Sequence, residues 1–552
     1  MFITVVTHSK WWRVLVLAPL LVLATPVWAV SGMGGGSAPS NPHVAAPMGV
    51  DKPEAFKRTE FRQPCKDYDP LRQPFFGDTH VHTMWSFDAS AQDTRNTPAD
   101  AYAFARGEPM RIQPYDNDGV GLREIRIDRP LDFTAVTDHS EFLGEILMCA
   151  TEGAPGYYHP VCLAHRYIPS LTQLAFGGLG LSLKRRWGFC GEHDMECLDW
   201  AKNTWSQIRQ DAEDAYDRSP ECSFTSFIGY EWTSIVGRGS NMHHNVIFRN
   251  SQVPKRPSSW MDTPSLARLW RNLELECTER LPGCDAVTIP HNTNLSRGLM
   301  FESPHLTSKD IPEEPISRED AFRRAHWSPL FEVMQHKGSS ECDSRHVQWA
   351  GDEFCDFEKL PYDTFGTKNT GDDGSGMLFL MKRLFGGAEF RDIQPPPATA
   401  YLRHGLKQGL KQRVELGANG FKYGIIAATD THVAAPGLVM EKNHPGHGGA
   451  GMDSRDGLRS GLPDELEFNP GGLAVLYAEE NSRDALFSAM RRREAYGTSG
   501  TRPIVRVFGG WEYPNDLCAS PDLVARGYDG GVPMGGDLPA APPGAEAGPR
   551  FV

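Results

Sequence analysis

The stretch Gly77-Asp78-Thr79-His80-Val81-His82-Thr83 sets two imidazoles two residues apart. On an extended strand, positions i and i+2 face the same way about 6.5–7 Å apart, so both rings can converge on one metal ion. A second pair, Asp430-Thr431-His432, repeats the spacing after the apolar run from Tyr423 to Ala428. Asp138-His139 closes another apolar run, Glu231 a further one and His291 a fifth, while His243-His244 comes just ahead of a run. Singly, each reads as a solvated or core polar residue. Jointly, they repeat the placement that parallel α/β barrels use for active sites, at the C-terminal ends of successive strands. Mixed imidazole and carboxylate ligation suits zinc, manganese or iron and fits calcium poorly. The chain has no GxSxG elbow and no GxxxxGKS/T loop. Water activated by two or three divalent ions is therefore the expected nucleophile.

Those residues need elements to hold them. Apolar runs mark seven candidate strands: Phe75–His82, Leu131–Asp138, Phe224–Glu231, His243–Phe248, Ala286–His291, Leu330–Gln335 and Tyr423–Asp430. Several are continuous, as expected of strands covered on both faces. Thr97 before Pro98, with Gly107 beyond an Ala-rich stretch, supplies a helix cap, an N1 proline and a C-terminal glycine in order. Leu198, Ala201, Trp205, Ile208, Ala212 and Ala215 recur at three and four, which predicts one apolar helix stripe. Strand–helix alternation predicts a parallel α/β barrel over 71–435, with insertions at about 150–220 and 338–398. A Gly- and His-rich loop then leads to a strand at Leu473–Ala478, a helix at Ser482–Arg493 and a strand at Ile504–Phe508, within a small C-terminal lobe over 436–552. Phe551-Val552 reads as the opening of a further strand, so the lobe is expected to continue.

A chain of 552 residues, 40% hydrophobic and 23% charged, can bury a large core. Its formal charge of −14 argues against a broad nucleic-acid footprint, which needs Lys and Arg in excess on one face. Lys184-Arg185-Arg186 and Arg491-Arg492-Arg493 read as solvated surface. Lys10 and Arg13, the apolar stretch from Val14 to Trp28, and the small residues Val27 and Ala29 form a secretory-signal pattern over 1–29. Pro19 and Pro26 interrupt that stretch, which falls short of the ~20 apolar residues of a membrane span. Residues 30–70, rich in Gly, Ser, Pro and Ala, read as a flexible leader. Export to the periplasm or beyond would put the eleven cysteines in an oxidising compartment. Cys149 and Cys162, Cys190 and Cys197, Cys277 and Cys284, and Cys342 and Cys355 lie close in sequence, and Cys190–Cys197 and Cys277–Cys284 are the favoured bridges. The odd total leaves at least one thiol outside any internal bridge.

The order His-x-His, a downstream His or Asp, then Asp-His, Glu, His, His and Asp-x-His resembles the polymerase-and-histidinol-phosphatase (PHP) superfamily. The resemblance implies an α/β fold, a distorted (β/α)7 barrel with a trinuclear metal site. Matched in order, the ligands are His80, His82, Asp88, His139, Glu231, His243, His291, Asp430 and His432. Asp88 stands where relatives often carry a histidine, which bears on the third metal. His243 is preferred to His244, because His244 and Asn245 lead into the strand. In PHP proteins the Glu matching Glu231 bridges two metals. More narrowly, GDTHVHTMWSFDAS, TAVTDHSEFLGE, GYEWTS, MHHNVIFRN, IPHNTNLSRG, EVMQHKGSSEC, ATDTH and REAYGTSGTR resemble the DUF3604 family, over roughly residues 71–535. That name implies fold and metals but no substrate.

Arg297, six residues after His291, and Lys337, just after the sixth strand, are cations near the expected mouth and suit an anionic group. His336 is placed as a proton donor. Asp78 and Asp138 are placed to orient ligand imidazoles. His444 and His447, in the HPGHGG loop, read as solvated. The expected activity is metal-dependent hydrolysis of a small anionic ester, a phosphate monoester or small diester first, with Glu231, Lys337 and His336 at the reaction centre. Hydrolysis of an amide, lactone or sulfate ester is one alternative, and metal binding without turnover is another. Neither nucleic acid nor any membrane contact beyond the signal segment is an expected partner.

Overall fold

The computed structural model describes residues 56–236, 240–307, 315–357, 396–442, 444–447, 469–545 and 547–552. The signal segment, most of the leader and most of the 338–398 insertion lie outside them. Each of the seven candidate strands forms: β1 (Gln73–Asp78), β2 (Phe133–Val136), β3 (Thr225–Trp232), β4 (His244–Phe248), β5 (Ala286–Pro290), β6 (Leu330–Gln335) and β7 (Gly424–Ala427). Every residue of β2 to β5 is buried, which is why their apolar runs have no exposed face to break them.

The arrangement departs from a single parallel sheet. β1 to β5 belong to a curled, seven-stranded half-barrel in the order β9-β8-β1-β2-β3-β4-β5. Here β8 (Leu473–Ala478) and β9 (Ala495–Thr498) lie in the region read from sequence as a separate C-terminal lobe. β6 and β7 pair in parallel within a separate three-stranded sheet. β1, β2 and β3 are mutually parallel, whereas β4 is antiparallel to both its neighbours and β8 is antiparallel to β1. The β3–β4 reversal follows from its connection. Only eleven residues, 233–243, join the two strands, whereas a parallel return needs a crossover of about a dozen residues or more. The two sheets meet at their C-terminal ends, where Val81 and Thr431 form a parallel bridge and His82 N donates to Thr431 O at 2.9 Å.

Alternate strand residues feed two cores. Phe133, Phe227, Ile247, Val287, Leu330 and Ile426, drawn from both sheets, fill the inside of the curl together with Leu476 of β8. Their neighbours Val136, Ile228, Val246 and Ala286 face an outer core. Gly77 lets β1 approach β2, since a Cβ there would stand 2.4 Å from Phe133 O. The helices read at 97–107, 198–215 and 482–493 form, and a further one precedes them. α1 (Phe87–Ala91) is short; α2 (Pro98–Ala105) is capped by Thr97, with Asp100 closing the box. α3 (Met195–Ala215) buries Ala201, Trp205, Ile208 and Ala212, and α4 (Arg483–Arg492) is capped by Ser482. The expected strand at 504–508 begins only at Phe508, because Ile504, Val505 and Val507 are exposed and lie outside it. Phe508–Gly510 pairs with Val532–Pro533 and with Arg550–Phe551.

Residues 56–70 are held in place, in contrast to a flexible leader. Arg58 grips Glu480 with two bonds of 2.6 and 2.7 Å, Thr59 N donates to Asp484 at 2.5 Å, and Cys65 is bonded to Cys222. Cys149–Cys162, Cys190–Cys197, Cys277–Cys284 and Cys342–Cys355 are the other disulfides, and Cys518 is a free, exposed thiol. Five bridges fit an oxidising compartment. Among the described residues, no helix is long and apolar enough to cross a membrane.

Candidate metal centre

β1, β2, β3, β5 and β7 end beneath one cluster of imidazoles and carboxylates. The local geometry differs from the i, i+2 strand picture. His80 and His82 come two and four residues after β1 ends, and Asp430 comes three residues after β7. Asp430 sits in the left-handed region at φ 54°, a conformation that a non-glycine residue adopts at some cost and that is common at functional sites. Loop clamps, and not a strand pleat, aim these side chains. Asp78 accepts from Thr429 N and Oγ1, from Gly437 N and from His80 N, and Asp138 accepts from Thr83 N and Oγ1. Both were expected to touch imidazoles; they fasten the ligand-bearing loops instead. Burial raises Asp78 to about 6.

Four donor atoms draw together at the centre. His80 Nε2 and His82 Nε2 lie 3.1 Å apart, and each is 3.2 Å from Glu231 Oε2. Asp430 Oδ1 is 3.3 Å from His80 Nε2 and 3.0 Å from His82 Nε2, yet neither approach has hydrogen-bond geometry. Five of the six separations among these atoms are thus 3.0–3.3 Å, and the ligand atoms of His80, His82 and Glu231 lie close enough to share one ion. The other oxygen, Glu231 Oε1, is 2.6 Å from His243 Nδ1 and 3.1 Å from His291 Nε2. Asp88, in the first turn of α1, places Oδ2 2.9 Å from both His139 Nε2 and His432 Nε2. The ligand atoms of His82, Asp88, His139 and His432 all lie within 4.8 Å of one another, as do those of Glu231, His243 and His291. All nine expected ligands therefore converge, Asp88 included. His244 turns away: it pairs with Pro290 along the ladder, and its ring lies 6.0 Å from that of Trp232.

The electrostatics are those of a dense, buried mixture of opposite charges. Burial works against charge on Glu231, but His139, His291 and His243 outweigh it and hold the carboxyl well below its usual range. Asp88 and Asp430 are likewise held down against burial, Asp88 by His139 and His432, Asp430 by His80 and Lys337. In return His80 is raised well above the ordinary histidine range and His82 to about 9, against the effect of burial. Cations entering this cluster would displace those protons, since imidazole coordinates metal only when neutral.

The members with partly open side chains are Asp88, His243 and Lys337, at 13%, 14% and 15% exposure, so the opening lies over them. Lys337 Nζ pairs with Asp430 Oδ2, which also accepts from Gln335 Nε2 at 2.5 Å. The His336 ring is buried, and burial and Lys337 hold it well below the usual range, so it is neutral near neutral pH. Arg297 is exposed, in a left-handed turn at φ 53°. His447 is buried where a solvated residue was expected; its Nε2 lies 2.9 Å from Pro470 O, and its ring is 5.7 Å from that of His336. Sequence reasoning missed Glu332 on β6, whose oxygens lie 3.0 and 3.1 Å from His80 Nδ1. A lone acid inside the apolar run LFEVM was the available signal. It also missed Ser86, whose Oγ is 2.6 Å from His82 Nδ1, and Thr233, which pairs with His139 Nδ1.

Fold and site together define a mixed α/β protein whose strand ends enclose a buried histidine–carboxylate centre able to bind metal ions. A family model described as "Protein of unknown function (DUF3604)" matches residues 69–552, and the chain belongs to that family. No curated protein and no solved structure matches it.

Proposed function

We propose that this chain is a metal-dependent hydrolase of small anionic esters, phosphate esters foremost, on a barrel of the PHP kind. The observation that carries the reading is the set of five distances of 3.0–3.3 Å among His80 Nε2, His82 Nε2, Glu231 Oε2 and Asp430 Oδ1. The bridge from Val81 to Thr431, which joins the two sheets where the ligands gather, fits such a barrel. His80, His82, Glu231 and Asp430 would hold one ion, Glu231 with His243 and His291 a second, and Asp88, His139 and His432 with His82 a third. Zinc, manganese or iron suits this donor set. Bound there, the ions supply Lewis acidity, polarising a phosphoryl oxygen and lowering the pKa of water. Glu332 fixes His80 through Nδ1 and so directs Nε2 inward, as outer carboxylates do for ligand histidines. Lys337 adds a positive charge at the opening, where an ester anion would enter.

The test is phosphate release from aryl and nucleotide esters, with metal content measured on the same samples. Turnover should vanish on chelation and return with added metal. A metal-replete protein inert towards phosphate esters but active on sulfate esters, amides or lactones would transfer the proposal to those bonds. Bound metal without turnover on any of them would leave a metal-binding protein.

A further inference from the structure

A helical insertion packs beside α1 and runs through Pro160–Tyr167, Ser170–Thr172, the wide-turn helix Gln173–Gly180 and Leu181–Leu183. Its inner side is anchored. Cys162 is bonded to Cys149, Phe176 and Leu181 are buried, and His165 Nε2 lies 3.2 Å from Ser90 Oγ on α1. Its outer side is apolar: Tyr158, Tyr167, Ile168, Leu171, Leu179 and Leu183 are each 40–77% exposed. Scattered exposed apolar residues need no explanation. Six fall within residues 158–183, and exposed apolar residues concentrated in this way mark contact surfaces.

Charge identifies the partner. The chain carries 70 acidic residues against 56 Lys and Arg, yet no Asp or Glu occurs from Gly153 to Gly191, where Arg166, Lys184, Arg185 and Arg186 fall. Arg186 is committed to buried Glu145, and Lys184 Nζ stands 4.1 Å from the Trp260 ring centroid. Arg185 is exposed, whereas Arg166 is half-buried, its Nη1 donating to Cys149 O at 2.6 Å and its guanidinium lying over the Tyr157 ring. Leucine and isoleucine fringed by tyrosine and by cations, with acids excluded, is the composition of a surface that lies in the membrane interface. A two-fold dimer would set Arg185 and this acid-free stretch against their own copy, which offers no carboxylate to pair with it.

We propose that this insertion seats the protein on an anionic phospholipid bilayer, its tyrosines and leucines entering the headgroup region and Arg185 meeting lipid phosphate. The inference is independent of the reaction at the metal centre. The full chain should sediment with vesicles rich in phosphatidylglycerol, less with phosphatidylcholine alone, and less again at high salt. Leu179→Ser with Leu183→Ser, and separately Arg185→Glu, should each lower binding, the apolar pair by roughly tenfold or more, with melting temperature unchanged. If the leucine pair unfolds, Tyr167→Ser, at a site 77% exposed, replaces it. Failure of the wild type to bind anionic vesicles, equal binding by folded variants, or a dimer that the same substitutions dissociate would each overturn the proposal.

Discussion

Replacing Glu231 by Gln would remove one charge and one acceptor oxygen from the point where five imidazoles meet. Oε1 faces His243 and His291 at 2.6 and 3.1 Å, and Oε2 faces His80, His82 and His139 at 3.2, 3.2 and 3.3 Å. The side chain is 1% exposed, so solvent contributes little screening. A unit charge about 4 Å from another is worth roughly 4 kcal/mol at an effective dielectric near 20, or a factor of ~10³ in affinity. Each ion that Glu231 ligates should therefore bind about a thousandfold more weakly in Glu231→Gln. The amide also turns N–H donors towards ring nitrogens that coordinate metal through lone pairs. After dialysis against buffered free metal, elemental analysis should show the variant depleted where the wild type is full, and phosphate release should fall by orders of magnitude. A melting curve separates this from unfolding. A folded Glu231→Gln protein with its full metal complement and wild-type kcat would refute the argument.

Lys337→Ala should keep its metal and raise KM more than it lowers kcat, because its ammonium sits at the opening on the outer oxygen of Asp430; loss of metal would make Lys337 a support for Asp430. Glu332→Gln should weaken metal binding about 10–100-fold without altering the ligand list, as outer-carboxylate losses do; an unchanged titration would leave Glu332 structural. Glu141 is raised to about 7 by burial, so the folded state holds its proton longer than the unfolded chain does. Stability from this group is therefore greatest below the ordinary glutamate range and falls as pH climbs to about 7, by up to roughly 3 kcal/mol. Glu141→Gln should flatten that part of the Tm-against-pH curve, and an identical slope in both proteins would count against it. Cys65→Ser should lower Tm by several degrees, since the bridge to Cys222 spans 157 residues and such loops are worth about 3–5 kcal/mol; an unmoved Tm would mean that the ion pairs of Arg58 suffice.

The gathering of these His, Asp and Glu side chains was legible because strands buried on both faces leave long apolar runs, and a run that ends in His or Asp stands out. His243 could be separated from His244 for the same reason: alternate residues of a strand face opposite ways. Direction is not encoded in such runs, so the antiparallel β4 was invisible. Nothing local marks β8 as a partner of β1, since the pairing depends on residues Gln73 and Ala478 that meet only in the fold. Arg297 lies exposed in a left-handed turn, a feature of backbone that spacing does not report. Residues 56–70 looked like leader by composition, but Arg58, Thr59 and Cys65 each find a partner far along the chain. Cys65 lacked a near neighbour, which is the only cue that spacing offers.

The pairing of β1 with β8 also sets a timetable for assembly. Gln73 and Ala478 are directly opposed, although 405 residues separate them. At the usual ~5–20 residues per second of synthesis, β1 waits roughly 20–80 seconds for its outer neighbour. In that interval the chain is half a sheet with an open edge, and its thiols are accessible. Cys149, Cys162, Cys190 and Cys197 all emerge between Cys65 and its partner Cys222, and their native pairings close loops of only 13 and 7 residues. Short loops close in well under a microsecond, and the chemistry of oxidation takes seconds or more. Loop proximity therefore decides which sulfurs meet first. Once those two local bridges have formed, Cys222 is the next thiol to reach Cys65, and the long-range bond is selected by elimination as much as by structure.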